Sequence, residues 1–172
     1  MHASVASERR GGTGNPAGTG AGKWLWPVAG ALACLGLGIA SGLSSAGGGG
    51  AWYQGLEKPP GTPPPWVFGP VWSMLYLMMG VALGRLVDRR AWGAVWVFCA
   101  QFALNVAWTP VFFGAHQAGV ALGIIAALWV GIVVLIRMAR RVDRISAALL
   151  VPYLMWVSYA TYLNIGFFWL NR

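Results

Sequence analysis

The chain has 172 residues, of which 58% are hydrophobic and only 9% charged, with a formal net charge of +8. Soluble domains run at roughly 45–50% apolar and 25% charged, so an ordinary water-soluble globule is excluded. Cys34 and Cys99 lie inside apolar runs without CxxC spacing, and His2 and His116 stand apart, so no metal site is expected.

Residues 1–22 are rich in Gly, Ser, Thr and Ala and read as a disordered tail, leaving 23–172 as a single membrane domain. No Asp, Glu, Lys or Arg interrupts residues 24–56, 59–84, 91–136 or 145–171. A bilayer-spanning helix needs about 20 mostly apolar residues. Three of these runs hold one span each, and the third in order holds two, broken near Gly114-Ala115-His116-Gln117. The spans are therefore expected at 24–46, 66–87, 92–113, 118–138 and 146–170. The fold class is an all-α integral membrane protein, a five-transmembrane-helix bundle. Helices are the default because lipid offers the backbone no hydrogen-bond partner, and the short alternating strands of a barrel are not seen.

Span one ends at Ser44-Ser45-Ala46, which looks like a signal-peptidase site. At about 23 apolar residues it exceeds the 7–15 of a signal core, which favours a retained helix. Residues 47–65 form a cover loop: Gly47 to Gly50 as a flexible joint, then a stretch stiffened by prolines that fix φ and remove donors. The other connections are short and force antiparallel neighbours. Small-residue pairs at Gly38/Gly42, Gly80/Gly84 and Gly119/Gly123 permit close helix contact, within one chain or between two.

Charge placement gives an orientation. Arg9, Arg10, Lys23, Arg85, Arg89, Arg90, Arg137, Arg140, Arg141 and Arg144 all fall on one side of a five-span chain, leaving Lys58 and Arg172 opposite. This positive-inside pattern places the N terminus in the cytoplasm and the C terminus outside, as in a bacterial cytoplasmic membrane. It also accounts for the basic balance without a nucleic-acid partner; the expected surroundings are membrane lipid.

Eleven tryptophans are the chain's most unusual possession. Trp24, Trp26, Trp92 and Trp169 sit at span ends and read as interfacial anchors. Others form stripes at helical spacing: Trp72, Tyr76 and Met79 in span two; Gln101, Asn105, Trp108 and Phe112 in span three; Tyr153, Trp156, Ala160, Asn164 and Phe167 in span five. Converging, these faces would enclose an apolar cavity with a few polar orienting groups. Aromatics at this spacing also serve as plain core, and intramembrane amides as interhelical glue. The residues alone leave both readings open.

Three ordered blocks decide between them. Trp52-Tyr53-Gln54-Gly55-Leu56-Glu57-Lys58-Pro59 leads through Pro63-Pro64 to Trp66-Val67-Phe68-Gly69-Pro70-Val71-Trp72, then Leu75-Tyr76 and Met79-Gly80. Gln101-Phe102-Ala103-Leu104-Asn105 follows, with Trp108 and Phe112-Phe113-Gly114-Ala115. The last block is Pro152-Tyr153-Leu154-Met155-Trp156, with Ala160-Thr161, Leu163-Asn164 and Leu170-Asn171. Over about residues 24–172 the chain closely resembles the TspO/MBR family, the tryptophan-rich sensory and translocator proteins. The resemblance implies a five-helix bundle, commonly a homodimer, with a ligand cavity under the first loop. It implies porphyrin-type ligands, protoporphyrin IX or heme, and no obligatory cofactor. The pocket residues it carries over are Tyr53, Trp72, Tyr76, Asn105, Trp108, Trp156 and Ala160, beneath a lid of Trp52, Lys58, Pro59, Pro63, Pro64 and Trp66. In that reading the tryptophans stack on a flat ring system, Asn105 bonds a ligand carbonyl or carboxylate, and Ala160 keeps the cavity floor open.

Two departures stand out. Gly61 occupies the place between Lys-Pro and Pro-Pro where the family usually has an aromatic residue, which suggests a looser lid. Tyr162 is ten positions from Arg172, too far for the cholesterol-recognition pattern of animal members. The function expected is a membrane receptor or sensor that regulates tetrapyrrole level or movement. An enzyme-like alternative, light- or oxygen-dependent breakdown of protoporphyrin IX, would use Trp72, Trp156 and Tyr53 as redox partners. A facilitative transporter is the third reading. No Asp, Glu or Lys sits at a span centre to couple transport to ions or to perform acid–base catalysis.

Overall fold

The computed structural model describes residues 22–45 and 50–172. Five long helices are apolar enough to cross a membrane. They are α1 (Gly22–Ser45), α3 (Pro65–Asp88), α4 (Trp92–Thr109) continued by a π-helical turn (Pro110–Gly114), α5 (Ala118–Val142) and α6 (Arg144–Leu170). The expected tail at 1–22, apart from Gly22, and the joint at 47–49 lie outside the described residues. The anticipated spans differ from these helices only near their ends, chiefly where α5 and α6 run on into the basic segment between them. That segment shrinks to Asp143, because arginines on a helix end can reach water while the backbone stays hydrogen-bonded.

One correction concerns the cover. Residues Gly50–Gly55 are not loop but a short helix, α2. They contain no proline, and the first residue of the Pro-rich run, Pro59, comes only after the helix has ended. A second irregularity follows Thr109. Pro110 has no N–H to donate, and the ladder re-forms one residue wider, with Ala115 N donating to Pro110 O at 2.8 Å.

Lipid gives two helices no hydrophobic reason to associate, so packing and polar contacts must hold them together. The α1–α3 seam does so by backbone approach. A Cβ on Gly30 or Gly80 would overlap the other helix's backbone around Gly80 and Ala31, and one on Gly84 would overlap Trp26 and Pro27. The Gly80/Gly84 pair therefore packs within the chain, while Gly30, its counterpart, carried no paired signal in the sequence. On α5, Ala121, Ile125, Leu128, Ile132, Leu135 and Ala139 form the buried stripe, spaced by three and four as an amphipathic helix requires. Trp24, Trp92 and Trp169 remain exposed at helix ends.

At the arginine-rich end Asp143 ties α3 to α6. Its carboxylate accepts from Arg85 Nε at 2.7 Å and Nη2 at 3.2 Å, with Arg89 Nη2 at 3.4 Å. It also caps α6, accepting from the backbone N–H groups of Ile145 and Ser146 and from the Ser146 hydroxyl at 2.6 Å. The Arg85 hydrogen bond holds the Asp143 carboxyl well below the usual carboxylate range, against the opposing effect of burial. Because the folded value is depressed, this stabilisation is fully present above the unfolded carboxylate pKa of about 3.9 and is lost as pH falls below it toward the folded value. Asp143→Asn leaves the Arg85 guanidinium facing a neutral amide. It is expected to cost about 3 kcal/mol, lowering Tm in detergent by about 6–12 °C at pH 7. The deficit should shrink progressively in thermal melts taken below pH 4, where protons bind the unfolded carboxyl first and the wild type's advantage falls.

Candidate ligand-binding site

Four helices and the cover meet around a cavity of about 450 Å³, within the roughly 300–1,000 Å³ usual for small-molecule sites. α1 contributes Gly38, Ile39 and Gly42; α2 contributes Gly50 and Tyr53; α3 contributes Pro65, Phe68, Gly69, Trp72, Ser73 and Tyr76. Trp108, Thr109 and Phe113 close one side, and Trp156 and Ala160 of α6 another. Among the described residues this wall carries no charged group. The polar side-chain groups of its lining residues are hydroxyls and indole N–H groups, of which those of Tyr76 and Trp108 are bonded to amides behind the wall.

Local packing fixes the rings. Trp72 and Tyr76, four residues apart on α3, stack at 5.3 Å between centroids, the separation favoured for offset aromatic pairs. A Cβ on Gly38 would collide with the Tyr76 ring, so the glycine is what lets α1 close over it. The Tyr76 hydroxyl donates to Asn105 Oδ1 at 3.1 Å, and deeper in the bundle Tyr153 donates to Gln101 Oε1 at 3.0 Å. Trp108 Nε1 donates to Asn164 Oδ1 at 3.0 Å, and Asn164 Nδ2 donates to Ala118 O at 3.0 Å. Each amide thus satisfies a buried donor and sets the angle of an aromatic ring.

Of the expected pocket residues, Tyr53, Trp72, Tyr76, Trp108, Trp156 and Ala160 are all brought to the wall. Asn105 is not. It is buried behind Tyr76, whose hydroxyl occupies its Oδ1, so a direct bond from Asn105 to a ligand is replaced by support of the Tyr76 ring. Phe68, one helical turn before Trp72, was missed although it continues the same stripe. Phe113 was not legible. A regular helix puts Phe112 on the face of Trp108, but the wider π turn buries Phe112 and turns Phe113 to the cavity.

The cover is tied to α6. Asn171 Oδ1 accepts from Glu57 N at 2.8 Å, and its Nδ2 donates to Glu57 O at 3.0 Å. Tyr162 donates to Pro60 O at 3.0 Å, and Tyr159 donates to Gly61 O. Pro59 is buried against Gly166, where a Cβ would come within 2.5 Å of it. Gly61 has φ +83°, a left-handed conformation that an aromatic residue rarely adopts. The anticipated loosening at Gly61 is thus offset by a tight turn closed by Thr62 N to Pro59 O. Trp52 stacks on His116 at 4.4 Å and meets Phe112 edge-on, away from the cavity wall. Lys58 Nζ lies 5.5 Å from the Tyr53 ring centre. Pro63 is half-buried and Pro64 caps α3. Trp66, expected in the lid, is 75% exposed. Pro65 already starts the helix, and the next residue is rotated off the cavity face. Burial, reinforced by Tyr159, pushes the Tyr53 phenol above its usual range, so it stays a neutral donor.

Asn171→Ala removes the two bonds to Glu57 and should free the cover with little effect on the bundle. The expected result is about fivefold faster amide exchange at Glu57, for a loss of about 1 kcal/mol. Exchange rates measured residue by residue check this.

A family model for the TspO/MBR family matches residues 30–170. The chain is 38% identical over 144 residues to tryptophan-rich protein TspO of Chlorobaculum tepidum, covering 80% of this chain and 90% of that one. It is 36% identical over 147 residues to tryptophan-rich protein TspO of Archaeoglobus fulgidus, covering 84% and 95%. It is 40% identical over 121 residues to the human translocator protein, covering 66% and 70%.

Proposed function

The chain belongs to the TspO/MBR family, an integral multi-pass membrane protein of the tryptophan-rich sensory and translocator type; from that premise we propose that its cavity binds a flat, apolar ligand of the porphyrin class. Protoporphyrin IX or heme is the expected occupant, and occupancy regulates the level or movement of the tetrapyrrole. The observation that carries this reading is the gathering of Trp72, Tyr76, Trp108 and Trp156 around one void, with Gly42, Gly69 and Ala160 leaving space between the rings. Flat aromatic faces separated by small residues favour a planar guest over a branched one. The same reading takes the arginine-rich end as cytoplasmic and the covered end as exported, in a bacterial cytoplasmic membrane, with a homodimer as the working unit.

Tryptophan fluorescence quenching by protoporphyrin IX tests the binding. Ala160→Phe places a ring on the cavity floor and is expected to weaken affinity at least about tenfold, since overfilling costs about 1–3 kcal/mol. Asn105→Ala acts through Tyr76 and should weaken it by a smaller factor. Wild-type affinity in Ala160→Phe contradicts the site.

A second reading has its own support. Trp72, Trp156 and Tyr53 are oxidisable rings that all face the void, so porphyrin breakdown under light and oxygen has candidate partners. In illuminated samples, loss of the porphyrin spectrum should slow in a Trp72→Phe, Trp156→Phe double variant. An unchanged rate removes these residues from such chemistry. Facilitated passage fits a wall without charged groups among the described residues better than ion-coupled transport does.

A further inference from the structure

We propose that the ligand enters this cavity sideways from the bilayer, through a cleft between α1 and α3, rather than from water beneath the cover. This route rests on the porphyrin-class reading above and adds the path by which the site is loaded. The α1–α3 seam is closed at one end and open at the other. Around Gly30, Gly80 and Gly84 the two backbones touch so closely that no Cβ fits. Toward the covered end they part: a Cβ on Gly42 or Gly69 meets no atom within 4 Å among the described residues, although both glycines line the cavity.

Ile39 and Gly42 of α1 and Gly69 and Ser73 of α3 are exposed residues that also line the cavity. Exposed wall residues on both helices, at the end where the backbones part, put the opening of the cavity between α1 and α3. The route beneath the cover is obstructed by comparison, with Asn171, Tyr162 and Tyr159 bonded to its backbone and Pro59 seated on Gly166. A flat apolar molecule partitions into lipid, so the cleft opens onto the phase where it is concentrated. Three of the cleft's four border residues, Gly42, Gly69 and Ser73, are small, which leaves a slot for a planar molecule.

The test uses the full chain in lipid vesicles preloaded with protoporphyrin IX, mixed rapidly with vesicles carrying the protein and followed by tryptophan quenching. Gly42→Leu and Gly69→Leu fill the cleft without a clash at Cβ, so both variants should fold. Narrowing a passage slows entry and exit together. The expected result is association and dissociation each at least about tenfold slower, beyond whatever equilibrium affinity the cavity loses to the added side chain. A Tyr159→Phe, Tyr162→Phe variant, which loosens the cover, should load at the wild-type rate. Unchanged association in the leucine variants, or faster association when the cover is loosened, overturns the route. Ala160→Phe separates the two levels: it should lose equilibrium affinity mainly through faster dissociation, whereas the cleft variants slow dissociation as well as association. Absence of equilibrium quenching in the wild type refutes the binding reading and the route with it.

Discussion

The backbone-to-backbone contact of α1 with α3 is the constraint from which the rest of the molecule follows. In a bilayer, side chains gain little by leaving lipid for one another, so helices adhere where their surfaces match closely. Gly30, Gly80 and Gly84 supply that match on one half of the seam, and their lack of side chains fixes where the helices are joined. The Asp143–Arg85 pair pins α3 to α6 at the same end. With that end closed, the helices separate toward the other, and the space between them has to be filled or left empty. Rings fill part of it and leave about 450 Å³.

Three of the rings hold their places because their polar groups are bonded to amides inside the bundle, although Gln101 Nε2 is buried without a partner among the described residues. Tyr76 with Asn105, Tyr153 with Gln101 and Trp108 with Asn164 each join two helices through an aromatic donor and an amide acceptor. Away from water such a bond is worth about 0.6–2 kcal/mol. Its larger consequence is geometric, since a ring whose hydroxyl or N–H is committed cannot rotate to fill the void. The readings of these residues as interhelical glue and as part of a cavity are therefore the same arrangement seen from two sides. Glue on the far side of the ring makes a stiff wall on the near side.

Much of this was legible in the residues. Charge-free runs of spanning length gave the five helices to within a few residues, because bilayer thickness allows little freedom. The stripes through Trp72, Trp108 and Trp156 pointed inward as helical periodicity requires. What escaped depended on relations that a single segment does not contain. Gly30 is unremarkable until Gly80 lies opposite it. Asp143 was one acid among arginines, and its capping role shows only when α6 begins there, although an acid three residues before Ser146 at a helix start was a usable signal. The π turn at Pro110 shifts the face by one residue and exchanges Phe112 for Phe113. Asn105 was placed on the wall by the family resemblance but is screened by Tyr76, a fact of side-chain length that neither motif nor periodicity carries. Trp66 shows the converse: membership in the motif said nothing about which way the ring points.

The central claim is that a planar ligand sits among these rings, within the protein rather than on its lipid-facing surface. An experimental structure of the full chain in lipid, determined with protoporphyrin IX present, tests it most directly. The account predicts macrocycle density in contact with Trp72 and Trp156, above Ala160 and beneath the α2 segment. Density confined to the outer surface, with the space among those rings collapsed or filled by lipid, would contradict it.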